Sequence, residues 1–137
     1  MKTIQILIAT ICCFGLFGCG GVNDQLIING VSVATSTGLS VVKDAAQRHI
    51  IANLLQGYAP GLRTITNNPT PEQLKVLIDQ YTPQNIKDQY PAAVAFATPL
   101  VINAVETALA AYGKDNATVI KIVNDVATGL EIGSVGN

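Results

Sequence analysis

Residues 91–112, PAAVAFATPLVINAVETALAAY, form a long segment with very few polar side chains. Its clearly polar residues are Thr98, Asn103, Glu106 and Thr107, and the last three share one narrow face at helical spacing. Most of the other positions are alanine, valine, leucine or isoleucine. A helix that is apolar nearly all round is a buried helix. The segment therefore predicts the central helix of a mainly α-helical bundle.

The alternative for this segment is a membrane span, since it is long enough to cross a bilayer. Pro91 and Pro99 argue against a span, as do Asn103 and Glu106. A charge near the bilayer centre costs about 2.5 kcal/mol or more. The bundle core is the favoured prediction.

A second long helix is predicted after Gly113, which ends the first. Asp115 or Asn116 is the expected N-cap, and glycines at 129 and 133 are expected to end the helix. Its apolar stripe consists of Val119, Ile122, Val123, Val126 and Leu130, and its polar side of Lys121, Asn124, Asp125 and Thr128. We expect these four polar residues to face water.

Two short helices are predicted before residue 91, over 71–81 and 83–90. Each follows a Thr-Pro pair, Thr70-Pro71 and Thr82-Pro83, within a shared pattern T-P-x-x-aliphatic-K. Threonine is a good N-cap and proline suits the first helical position. Gln73 adds capping-box spacing to Thr70. The similarity indicates either a duplicated unit or, preferably, independent use of the same cap.

A further helix is predicted between a cluster of capping residues at 35–38 and Gly57. Leu39, Val42, Ala46 and Ile50 recur there at helical spacing. Gly57 is suited to the position after the helix, and Pro60 should prevent continuation.

Residues 26–33, LIINGVSV, place Asn29-Gly30 between apolar, β-branched runs. Asn-Gly favours the tight turn of a β-hairpin. The predicted fold is thus mainly α, a small bundle of about four to five helices with a short N-terminal hairpin at 26–33.

The N-terminus has the pattern of a secretory signal peptide: Lys2, then an apolar run from Ile4 to Phe17, then small residues. The run is shorter than the roughly 20 residues that a membrane helix needs. The alternative is an uncleaved anchor that extends to Val22.

The end of this run, Leu16-Phe17-Gly18-Cys19, resembles the lipobox of bacterial lipoproteins. The resemblance covers residues 1–19 and implies cleavage between Gly18 and Cys19 with lipidation of Cys19; Phe17 is bulkier than the family's usual residue. The lipobox resemblance divides the chain into a signal peptide (1–18), a lipidated cysteine and tether (19–25) and a single mostly helical domain (26–137). Gly20 in place of aspartate implies the periplasmic leaflet of an outer membrane, or the outer face of a cell with one membrane.

The cysteines and charges exclude several functions. Cys12 and Cys13 would leave with the signal peptide, so the mature domain would lack disulfides and cysteine metal sites. The formal net charge of the chain is −1, with no basic patch for a nucleic acid.

No motif for catalysis, a metal or a cofactor occurs in the sequence. The one histidine, His49, and Glu106, the acid expected near the core, are the residues on which an enzymatic hypothesis would depend. We therefore do not expect an enzyme.

The function predicted from these observations is a membrane-anchored module that binds an envelope protein. In architecture alone it is similar to small helical lipoproteins such as secretion pilotins or phage-encoded exclusion proteins. The alternative is a carrier of a hydrophobic ligand, with a cavity lined by residues such as Val94, Leu100, Val101 and Val105.

Overall fold

Six helices account for 82% of the residues that the computed structural model describes, which are residues 24–113 and 115–135. The helices are α1 (Asp24–Ser40), α2 (Ala45–Leu62), α3 (Pro71–Gln80), α4 (Gln84–Gln89), α5 (Pro91–Tyr112) and α6 (Asn116–Gly133). These ranges contain no strand. The mainly α class predicted from the sequence is confirmed, and the described residues hold six helices rather than four to five.

Helix α5 lies at the centre of the fold and packs against each of the other helices. Its buried side is formed by Ala93, Ala97, Leu100, Val101, Ala104, Val105, Ala108 and Tyr112. Among the described residues it is also the one helix that is long and apolar enough to cross a membrane. A core helix passes the same test of length and composition, and these contacts make α5 the core of the bundle.

Residues 26–33 form part of α1, so the predicted hairpin is wrong. Ile27, Val31 and Ala34 follow helical spacing and are buried, while Asn29 is exposed and accepts a hydrogen bond of 2.8 Å from the Gln25 amide one turn earlier. The Asn-Gly preference acts on one turn only. Burial of a whole helix face against α6 outweighs the roughly 1 kcal/mol that a glycine costs inside a helix.

Helices α1 and α6 run parallel, with their backbones in close contact. Asp24 lies beside Lys121, and a Cβ on Gly133 would come within 2.5 Å of the Ser32 carbonyl oxygen. Further along the same contact, a Cβ on Gly129 would come within 2.7 Å of Val31 Cβ. These two glycines were expected to end α6: the helix runs through Gly129 and ends at Gly133. Helix α1 occupies the space where a side chain at either position would lie.

Helix α2 begins and ends later than predicted. The capping residues at 35–38 lie inside α1, and the N-cap of α2 is Asp44, whose Oδ1 accepts from the backbone N–H of Ala46 at 2.9 Å. The helix continues through Gly57 and Pro60. The buried stripe extends through Tyr58, Ala59 and Leu62, so one more turn of core contacts outweighs the weak local stop signals.

The predicted caps of α3 and α6 are confirmed. Thr70 and Gln73 form a reciprocal capping box, with bonds of 3.2 and 2.9 Å between backbone N–H groups and side-chain oxygens. Asp115 caps α6 by accepting from the Thr118 N–H at 2.8 Å. Thr82 does not cap α4: its hydroxyl donates to the Ile78 carbonyl at 2.7 Å. The two Thr-Pro pairs thus have different roles, which favours independent origin over a duplicated unit.

Candidate functional site

The predicted anchor residues, Gly18 and Cys19, lie outside the described residues, as does the predicted signal peptide. The first described residue is Asp24, at the start of α1, with four residues of sequence between it and Cys19. The tether was expected to extend through residue 25, but Asp24 and Gln25 already belong to α1. The anchor would therefore join the folded domain where α1 meets α6.

Two carboxyl groups meet at this junction. Asp24 lies 3.4 Å from the Lys121 ammonium, measured from Oδ2 to Nζ, and its side chain is within hydrogen-bonding reach of Asp125. Asp125 is only 9% exposed. One oxygen of each carboxyl group, Oδ1 of Asp24 and Oδ2 of Asp125, is buried without a hydrogen-bond partner.

A proton shared by the pair would satisfy both of these oxygens. Two carboxylates offer only acceptors, whereas a protonated carboxyl group donates one hydrogen bond. Burial, the hydrogen bond with Asp24 and the negative charge of Asp24 together raise the pKa of Asp125 to about 7, with Lys121 acting in the opposite direction. Asp125 is therefore partly protonated near neutral pH, where an ordinary aspartate is fully ionised.

Raised carboxyl pKa values are common at catalytic sites, but buried structural pairs produce them too. Asp24 and Asp125 lie in the contact between two helices, and none of the three grooves described below is lined by either residue. Within residues 24–113 and 115–135, no cluster of three or more His, Cys, Asp or Glu side chains could hold a metal ion. The pair lies within the contact between α1 and α6, and the protonation of Asp125 changes near neutral pH.

His49 and Glu106 are not brought together in any of these grooves. His49 is exposed on α2, and Glu106 is half-buried on α5 with its Oε1 buried and unpartnered. The half-buried position of Glu106 fits the expectation of an acid near the core.

The surface of α3 carries two neighbouring grooves, of about 510 and 590 Å³, that share Val76 and Gln80. The first groove is also lined by the α2–α3 loop, including Ile65 and Pro69, and the second by Val94 and Thr98 of α5. Val76 is 59% exposed between them. We call Val76, Gln80 and these two grooves the α3 surface. A third groove of about 280 Å³ lies between α2 and α4.

Sequence reasoning missed the carboxyl pair, because it assigned Asp24 to a tether and Asp125 to the water-facing side of α6. One signal could have identified Asp125. It follows Lys121 and precedes Gly129 and Gly133 at steps of four, so all four residues lie on one face of the helix. A face with two glycines allows another helix to approach closely and bury the residues beside them.

No family model matches the chain, and no curated protein or solved structure shows significant similarity to it.

Proposed function

We propose that this protein is a bacterial lipoprotein of the cell envelope, anchored through lipidated Cys19 and acting as a protein-binding module. The single observation that carries the anchor is the lipobox-like Leu16-Phe17-Gly18-Cys19, placed four residues before a helix that packs into the fold. Two or more acyl chains hold a protein stably at a bilayer, so the mature chain needs no membrane helix. We place it on the periplasmic leaflet of the outer membrane.

The position of α5 supports an anchor of this kind. The helix that could cross a membrane by length and composition is the centre of the core, and the other helices pack around it. To insert α5 into a bilayer would require this core to come apart. Membrane attachment through the N-terminus leaves the core intact.

The packing of the core favours protein binding over transport of a hydrophobic ligand. Leu100, Val101 and Val105, which were expected to line a ligand cavity, are buried among the core side chains. Val94 lines a groove that is open at the surface. The α3 surface, with Val76 exposed between two grooves, is the part of the fold that we propose as the contact for an envelope protein.

The anchor is tested by separating membrane and soluble fractions of bacteria that produce the native protein or a Cys19→Ser variant, and by mass spectrometry of each protein from the fraction that holds it. We expect the native protein to begin at residue 19 and to carry the mass of acyl chains. The variant should lack that mass and leave the membrane fraction. A mature N-terminus at another residue, or no added lipid mass, would contradict the anchor.

The binding surface is tested by membrane pull-down with native protein, Val76→Asp and the matched control Val33→Asp. Val33 is an exposed valine on α1, away from the α3 surface. We expect Val76→Asp to lose a partner that both native protein and Val33→Asp retain, because a charge on an apolar contact must be desolvated on binding. Equal retention by all three proteins would rule out the α3 surface.

A further inference from the structure

We propose that the end of the molecule formed by the N-termini of α1 and α6 and the C-terminus of α5 rests against the lipid bilayer. This orientation deepens the proposed function and depends on lipidation of Cys19. It places the turn between α1 and α2 at the far end, away from the membrane.

The chain between the proposed anchor and the folded domain is short. Five Cα–Cα steps join Cys19 to Asp24. A fully extended chain covers at most about 3.6 Å per residue, so the Asp24 Cα lies within about 18 Å of the anchored cysteine. The domain cannot move further from the bilayer without losing its contact between α1 and α6.

Helix α1 is held firmly on α6. Helix α1 packs directly on the backbone of α6 at Gly129 and Gly133, and Lys121 Nζ lies 3.4 Å from Asp24 Oδ2. The exit point of the tether is therefore fixed relative to the rest of the domain.

Helix α6 extends beyond the start of α1. Lys121 and Asp125 flank Asp24, whereas α6 begins at Asn116. At 1.5 Å per residue, the start of α6 projects about 8–14 Å past Asp24 along the helix axis, beyond the N-terminus of α1. This projection is shorter than the reach of the tether, so the start of α6 can touch the bilayer surface while the acyl chains are inserted.

The exposed side chains at this end suit contact with lipid headgroups. Ala110, Ala111 and Ala117 are exposed and uncharged. In the sequence of the loop, Lys114 balances Asp115. Asp24 is paired with Lys121 and Asp125 is buried, so the exposed side chains at this end can approach headgroups closely at little electrostatic cost.

The opposite end is well separated from this one. Helix α1 has 17 residues, and the α1–α2 turn follows it. The turn therefore lies about 25 Å further along the α1 axis than Asp24. Labels at the two ends would lie at clearly different heights above the bilayer.

The test is fluorescence quenching of single labels on the lipidated protein, reconstituted in phosphatidylethanolamine–phosphatidylglycerol vesicles with a headgroup-bound quencher. Ala117→Cys labels the near end and Lys43→Cys labels the turn; both positions are exposed. Cys12 and Cys13 would be removed with the signal peptide and Cys19 acylated, so the introduced thiol would be the one that reacts. We expect loss of most of the fluorescence at 117 and little loss at 43.

Equal quenching at the two positions, or stronger quenching at 43, would overturn the orientation and leave the anchor standing. A protein without acyl mass would overturn the anchor and the orientation together, so intact mass is measured on the same sample. Ala110→Cys is a second near-end label if Ala117→Cys folds poorly. Labelled Cys19→Ser protein that also carries Cys12→Ser and Cys13→Ser, so that no other thiol reacts, gives the quenching expected without acyl chains.

Discussion

At the scale of single residues, Asp125 is the most unusual group in the described part of the chain. It is buried beside a second carboxyl group, and its pKa is raised to about 7. Between pH 4 and 7 the folded state therefore holds a proton that the unfolded chain, with an ordinary aspartate pKa of about 3.9, has already released. Protons stabilise the folded state in this range, and that stabilisation is lost as the pH rises toward 7.

We expect the free energy of unfolding to fall as the pH rises from 4.5 to 8, and Asp125→Asn to remove most of this fall. The slope is at most about 1.4 kcal/mol per pH unit for one proton, and smaller where water screens the pair. Asparagine can donate to Asp24 at every pH, so the variant should exceed the native protein in stability at pH 8. Urea unfolding at a series of pH values measures both effects.

Asp88→Asn is the control for this pH series, because Asp88 is exposed on α4 and only accepts a hydrogen bond from Gln84. It should keep the native pH dependence. A native slope that persists unchanged in Asp125→Asn would show that the carboxyl pair is not its source.

At the scale of helices, the contact between α1 and α6 depends on residues without side chains. Gly133 faces the Ser32 carbonyl oxygen, which is backbone and cannot move aside as a flexible side chain can. Gly57, in the interior of α2, has no neighbouring atom within 4 Å of the place where a Cβ would lie. The same substitution should therefore have opposite effects at the two positions.

We expect Gly133→Ala to destabilise the protein by about 1–3 kcal/mol, because the added methyl group forces two packed helices apart. Gly57→Ala, the matched control, should stabilise it by about 0.5–1 kcal/mol by reducing the freedom of the unfolded chain. Thermal and urea unfolding of the two variants gives both values. Destabilisation by Gly57→Ala as large as that of Gly133→Ala would contradict the close packing of α1 and α6.

A second contact between elements joins α2 to the connection between α3 and α4. Tyr58 is completely buried, and its hydroxyl lies 2.9 Å from Thr82 Oγ1, which itself donates to the Ile78 carbonyl. Tyr58 is thus the donor to Thr82. Burial raises the pKa of Tyr58, so its hydroxyl stays protonated across the neutral range.

We expect Tyr58→Phe to cost about 1 kcal/mol of stability, since it removes one buried hydrogen bond while Thr82 keeps its own. Tyr81→Phe is the control, because Tyr81 is 39% exposed. It should change the free energy of unfolding by less than about 0.5 kcal/mol. Equal effects of the two variants would mean that the Tyr58–Thr82 bond contributes nothing to stability.

At the scale of the whole molecule, the described helices share a single hydrophobic core. Side chains from α1, α2, α3, α5 and α6 form one hydrophobic cluster, and Ile86 of α4 packs against it. We expect the proposed anchor to control where the protein lies and to leave this core unchanged.

We expect Cys19→Ser protein to unfold at the same urea concentration as lipidated protein in mild detergent, within about 0.5 kcal/mol of free energy. Circular dichroism at increasing urea concentrations measures the comparison. A variant that is markedly less stable would mean that the lipidated N-terminus is itself part of the fold.

The helical class, the central position of α5 and the caps at Thr70 and Asp115 could be predicted from the sequence by itself. Helical periodicity and capping depend on residues within four positions of one another, so their signals are complete in a short window. The lipobox pattern is equally local, which is why the sequence already supplies the anchor hypothesis at Cys19.

The helical state of residues 26–33, the burial of Asp125 and the passage of α2 through Gly57 and Pro60 were decided only by the tertiary structure. Each of these three features depends on which helix packs against the residues concerned. Asn29-Gly30 would favour a turn in isolation, and Asp125 would face water on a lone helix, but α1 and α6 bury each other through glycines far away in the chain. Packing free energy between such distant residues exceeds the roughly 1 kcal/mol of local preference, and no short window of sequence contains it.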